Sequence, residues 1–112
     1  MTGRPIYRQG DVLLNMVDGL PRGARVLPVE PSAGRCVLAF GEQTGHAHTV
    51  AAEDAELLDV ATADRVDRYL RVRSRTSLQH EEHARIDVEP GLYRVVIQRS
   101  FEPRSAARRV SD

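Results

Sequence analysis

The chain has 112 residues, one domain's worth, and its 41 % hydrophobic and 29 % charged residues exclude wholesale disorder. No apolar run exceeds the five residues Cys36 to Phe40, which excludes a helical membrane span, and the lone Cys36 excludes an internal disulfide or a cysteine-based zinc cluster within one chain. Sixteen arginines and no lysine balance sixteen acids, five against nine in residues 1–64 and eleven against seven in residues 65–112; this drift from −4 to +4 hints at an anionic partner and falls short of a nucleic-acid footprint.

Short strands with turn punctuation are predicted along the whole chain. Gly10-Asp11 opens a strand over Val12 to Val17, which ends at Asp18-Gly19-Leu20-Pro21. Arg25 to Val29 is a poorer strand, because Pro28 has no N–H and suits only an edge or a bulge. Pro31-Ser32-Ala33-Gly34 signals a turn, and Arg35 to Phe40 follows as a buried strand broken by Gly41 and Gly45. His46 to Val50 and Glu56 to Val60 are predicted strands on either side of an acidic Ala52-Glu53-Asp54 turn.

Tyr69 to Thr76 alternates most cleanly. Leu70, Val72, Ser74 and Thr76 fall on one face, and Arg71, Arg73 and Arg75 on the other, a cationic face that is either solvated or meets an anionic small molecule or nucleic acid. Ala84 to Glu89 and Leu92 to Phe101 flank Pro90-Gly91 and predict a hairpin, with Val95 and Ile97 inward. The best helical window, Ala55 to Tyr69, holds Val60 and Thr62, which favour strand and turn. The expectation is an all-β single domain over residues 1–101, a compact antiparallel barrel or a jelly-roll-like, cupin-like sandwich, with residues 102–112 as a tail or edge extension. Met1 to Pro5 has no signal-peptide core, so the expected location is the cytoplasm, as a monomer or a small homo-oligomer without a membrane partner.

The four histidines form two tight pairs, His46-Ala47-His48 and His80-Glu81-Glu82-His83. On a strand, positions i and i+2 share a face, so His46 and His48 can aim two imidazoles at one point. Positions i and i+3 do so on a helical turn or a tight loop, so residues 80–83 are predicted to form a turn if both histidines bind. Gly45 permits close backbone approach before the first pair. Neutral imidazole is the commonest ligand for zinc and suits iron, copper and nickel. Cys36, inside an apolar run, is expected to be an inert core residue. No phosphate loop, dinucleotide fingerprint, nucleophile elbow or His-Glu-x-x-His motif is present.

Several blocks occur in fixed order: Gly10-Asp11-Val12-Leu13-Leu14, Gly41-Glu42-Gln43-Thr44-Gly45-His46-Ala47-His48, Leu78-Gln79-His80-Glu81-Glu82-His83, Gly91-Leu92-Tyr93-Arg94-Val95, Gln98-Arg99 and Arg108-Arg109-Val110. Together they resemble an uncharacterised family of small proteins from bacteria and their phages, and the resemblance implies a recurring histidine-rich site. A weaker resemblance is to the cupins, whose first motif His46, His48 and Glu53 fit. The cupin glycines are displaced or missing, and the second cupin motif is replaced by His80-x-x-His83.

The site expected from these residues is one divalent metal held by His46, His48, His80 and His83, zinc first, with iron, manganese or nickel as alternatives. Glu42 and Glu53 are candidate supporting groups, and Glu81 or Glu82 would handle protons in a metalloenzyme. Two other classes stay open: a non-catalytic binding or assembly module with a structural metal, and metal-free histidine acid–base chemistry at a phosphodiester.

Overall fold

The computed structural model describes residues 6–40 and 46–98. All regular structure among them is β: β1 (Ile6–Gln9), β2 (Val12–Met16), β3 (Arg25–Pro28), β4 (Arg35–Phe40), β5 (Ala47–Ala51), β6 (Ala55–Ala61), β7 (Val66–Val72), β8 (Thr76–His80), β9 (His83–Val88) and β10 (Gly91–Ile97). They form two antiparallel sheets, one of six strands in the order β1-β2-β10-β7-β6-β3 and one of four in the order β4-β5-β8-β9. The all-β expectation is met. The barrel is not, because no ladder joins the two sheets among the described residues.

The chain passes repeatedly between sheets. Hairpin β4–β5 lies in the small sheet, β6–β7 in the large one, β8–β9 in the small one, and β10 returns to the large sheet between β2 and β7. The two hairpins of the small sheet meet through β5 and β8, registered at Thr49 opposite Gln79. Period-two alternation supplies the core between the layers: Val12 and Leu14, Cys36 and Leu38, Ala55 and Leu57, Leu70 and Val72, Tyr93 and Val95 are all buried, joined by Val50, Leu78 and Val88. Burial of each full-sized aliphatic side chain contributes about 1.5–3 kcal/mol. A second cluster of Leu58, Val60 and Tyr69 uses the opposite parity of β6 and β7 and is covered by Val17, Leu20, Ala24 and Leu92.

Three expectations are corrected. The strand predicted over Tyr69 to Thr76 stops at Val72, because the N–H groups of Arg73 and Ser74 both donate to the Asp54 carbonyl (2.8 and 3.3 Å) and turn the chain towards the other sheet. Pro90-Gly91 is not a hairpin turn but a crossover: β9 belongs to the small sheet and β10 to the large one. Gly91 has a positive φ there that favours glycine, and a Cβ on it would also push aside the mobile end of Met16, whose Cε lies 2.5 Å away. Ile97, predicted inward, is exposed, while Val95 is buried. The crossover is latched by tyrosines: Tyr93 Oη donates to the Glu89 carbonyl at 2.7 Å, and the Glu89 N–H donates to Tyr7 Oη at 3.3 Å. Burial and the neighbouring Tyr7 push the Tyr93 phenol well above its usual pKa, so it stays a donor. Pro28 sits on an edge strand, as expected.

Candidate histidine site

β5 begins just after His46, and its inward row carries His48 and Val50, both buried. The parity that fills the core therefore also turns the His48 ring into the sandwich. β8 and β9 are joined by the two residues Glu81-Glu82, and this tight turn sets His80 directly opposite His83. The turn expected at residues 80–83 is present. Adjacent pairing of β5 and β8 then brings the two histidine pairs together.

The rings pack closely. The His80 centroid lies 5.6 Å from that of His46, 4.3 Å from that of His48 and 4.6 Å from that of His83, and His48 stacks on His83 at 5.9 Å with planes 19° apart. As the rings stand, no group of three or more His, Cys, Asp or Glu among the described residues is arranged to hold a metal ion. Two ring nitrogens, His46 Nδ1 and His80 Nε2, are buried without a hydrogen-bond partner among the described residues. Glu82 Oε2 approaches His46 Nδ1 at 3.3 Å, within ion-pair distance but off the line a hydrogen bond requires. A buried polar atom left unsatisfied costs about 1–3 kcal/mol, so these two nitrogens mark the centre of interest.

The other ring nitrogens have defined neighbours. The Glu82 backbone N–H donates to His80 Nδ1 at 3.0 Å. An N–H can only donate, so in neutral His80 the proton sits on the orphaned Nε2. Gln9, 2 % exposed on β1, reaches across to His48 Nδ1 with its Oε1 at 2.9 Å. His83 rests on Gly10, where φ is +57° and a Cβ would stand 2.6 Å from the His83 Nε2. Glu81 Oε1 accepts from the Ala47 N–H at 3.4 Å, and the backbone N–H groups of Glu81 itself and of Ala47 hold its carboxyl below the usual value. Glu81 is therefore ionised over the neutral range, an acceptor rather than an acid. A cavity of about 220 Å³ opens beside this cluster, lined by Ala47, Thr49, Gln79, His80 and Glu81.

The other candidate groups lie elsewhere. Glu53 is exposed in the β5–β6 turn, beyond the far end of β5 from the histidines. Glu42 and the tail 102–112 lie outside the described residues. Arg71, Arg73 and Arg75 are exposed over buried Leu70 and Val72, as the alternation predicts, but they do not share one face. Arg71 is on β7, facing Glu56 at 3.8 Å; Arg73 is in the bend after it; Arg75 precedes β8 and pairs with Asp87 and Glu89, each at 3.2 Å. A larger polar cavity of about 360 Å³ involves Arg35, Arg75, Ser77 and Asp87. Arg35 there is already engaged by the Thr49 hydroxyl at 3.0 Å. Cys36 is buried as expected, and burial pushes its thiol up.

Residues 8–98 match a family described as a domain of unknown function (DUF8820). The chain belongs to this family. The matched span takes in every block that carried the resemblance to an uncharacterised family up to Gln98, both histidine pairs included. Neither a curated protein nor a solved structure matches the chain. No helix among the described residues is long and apolar enough to cross a membrane.

Two members of the site escaped sequence reasoning, Gln9 and the steric role of Gly10. The signal for Gln9 was faint: in Ile6-Tyr7-Arg8-Gln9 the inward parity holds Tyr7 and Gln9, a polar residue in a core row. Only a tertiary partner explains such a residue, and the sequence does not display one.

Proposed function

We propose that this chain binds one divalent transition-metal ion, zinc first, at the cluster of His46, His48, His80 and His83. The observation that supports the reading is a pair of buried nitrogens, His46 Nδ1 and His80 Nε2, that make no hydrogen bond among the described residues, on rings 5.6 Å apart, with His80 adjoining His48. Two imidazoles on one tetrahedral zinc hold their centroids about 5 Å apart, and Zn–N bonds are about 2.0–2.1 Å. The centroid separations of 4.3 to 5.9 Å straddle that value. Ligation requires the rings to rotate, and His80 must give up the Glu82 N–H on its Nδ1 to free Nε2 of its proton. That hydrogen bond is exposed, so water takes over the Glu82 N–H at small cost. Iron, manganese and nickel are the alternatives. If His80 keeps its proton, three imidazoles remain as ligands beside an open position, the arrangement of a catalytic metal.

Metal analysis of the purified protein, followed by zinc and cobalt titration of chelator-treated protein, tests this. One equivalent per chain is expected, with His46→Ala and His48→Ala each weakening binding strongly. A protein that neither retains nor takes up any of these ions overturns the proposal.

A second reading has its own support. In neutral His80 the Glu82 N–H leaves the proton on the buried Nε2, which has no hydrogen-bond partner among the described residues and is placed to donate to a substrate oxygen. In that metal-free case the cluster would do acid–base chemistry, a phosphodiester being the substrate class considered. Retained activity in rigorously metal-free protein would distinguish it.

A further inference from the structure

We infer that Gln9 is a positioning residue for the histidine cluster, fixing which nitrogen of His48 carries the proton. Gln9 is buried at the end of β1, and all three of its polar contacts are made. Its Nε2 donates to the Leu78 carbonyl at 2.9 Å and to the Ala84 carbonyl at 3.0 Å. Those carbonyls lie on β8 and β9, the hairpin that carries His80 and His83. Two acceptors around one end of the amide identify that end as the NH₂ group. The other end, Oε1, is an acceptor only, and it faces His48 Nδ1 at 2.9 Å. Nδ1 must therefore donate. A neutral imidazole carries one N–H, so its lone pair sits on Nε2.

The consequence is specific. One buried side chain ties β1 to the β8–β9 hairpin and, through β5, selects the less common tautomer of His48. A hydrogen bond of this kind to the far nitrogen is how proteins orient an imidazole for ligation or for accepting a proton, and its loss typically weakens metal affinity about 10–100-fold. The inference rests on the proposed histidine site for its purpose, but its physical content, the tautomer, stands without any metal.

The test is a long-range ¹H–¹⁵N correlation spectrum of metal-free protein labelled in its histidine rings, at a pH where His48 is neutral. His48 is expected in the Nδ1–H form. Gln9→Met, which keeps the shape and removes every polar contact, is expected to move it to the Nε2–H form and to weaken zinc binding about 10–100-fold. Wild-type His48 in the Nε2–H form overturns the inference, as does a folded Gln9→Met protein with an unchanged His48 pattern. Should Gln9→Met not fold, the wild-type spectrum decides alone. Absence of zinc binding alongside an Nδ1–H His48 would sink the metal proposal and leave this one intact.

Discussion

At the scale of single residues, Gly10 carries an unusual double demand. Its φ of +57° suits glycine, and the His83 ring lies where a side chain would begin. Gly10→Ala should cost about 1–2 kcal/mol in backbone strain and displace His83. Thermal melting reads the first effect and the His83 ring signals the second. A melting point within a degree of wild type would show that the turn relaxes freely. Core positions behave differently: Leu70, fully buried, should lose about 2–5 kcal/mol on Leu70→Ala without disturbing the histidine rings. Ring signals that move as much as in Gly10→Ala would contradict that separation.

At the scale of elements, an ion-pair strap ties β7 to β10. Asp67 meets Arg65 at 3.0 Å and Arg94, on β10, at 3.3 Å. Slight burial pushes its carboxyl up, but the Arg65 and Arg94 guanidiniums outweigh that and hold it below its usual value. Because the folded value lies below the unfolded one, the stabilisation is present above the unfolded carboxylate pKa of about 3.9 and is lost as pH falls through the folded value. The melting-point gap between wild type and Asp67→Asn should therefore be widest near neutrality, worth up to about 1 kcal/mol, and close in acid. A gap that stays constant with pH would mean that the strap contributes nothing electrostatic. The elements also show what local sequence conveys. Val12 to Met16 and Arg35 to Phe40 were legible because alternation acts within a few residues, and the 80–83 turn followed from requiring both of its histidines to face one point. The break after Val72 and the crossover at Pro90-Gly91 were not, since each depends on a distant partner, the Asp54 carbonyl in one case and the β2–β7 gap in the other. The histidine pairs were visible as spacings; Gln9, which organises them, depends on carbonyls some 70 residues away and was invisible.

At the scale of the whole molecule, the core does not depend on the site. His48 is the only buried ring of the four, and the apolar cluster between the sheets is built from both layers independently of the histidine turn. Chelator-treated protein should therefore remain folded with a lowered melting point, whereas a protein held together by its metal would unfold outright. Calorimetry with and without chelator checks this, and loss of the cooperative transition on chelation would contradict it.

The small sheet is assembled from two hairpins, each closed by its own turn and joined to the other along β5 and β8. That seam is the expected line of cheapest local opening, and it runs between the two histidine pairs. Anything that grips both pairs acts as a clasp across it. A ligand present at 100 times its dissociation constant would raise the opening free energy by about 2.7 kcal/mol. Amide hydrogens at Thr49 and Gln79 should then exchange with solvent roughly 100-fold more slowly, while those of Leu70 and Tyr93 in the large sheet keep their own pace. Exchange along one seam would thus report occupancy of the site even before the occupant is identified.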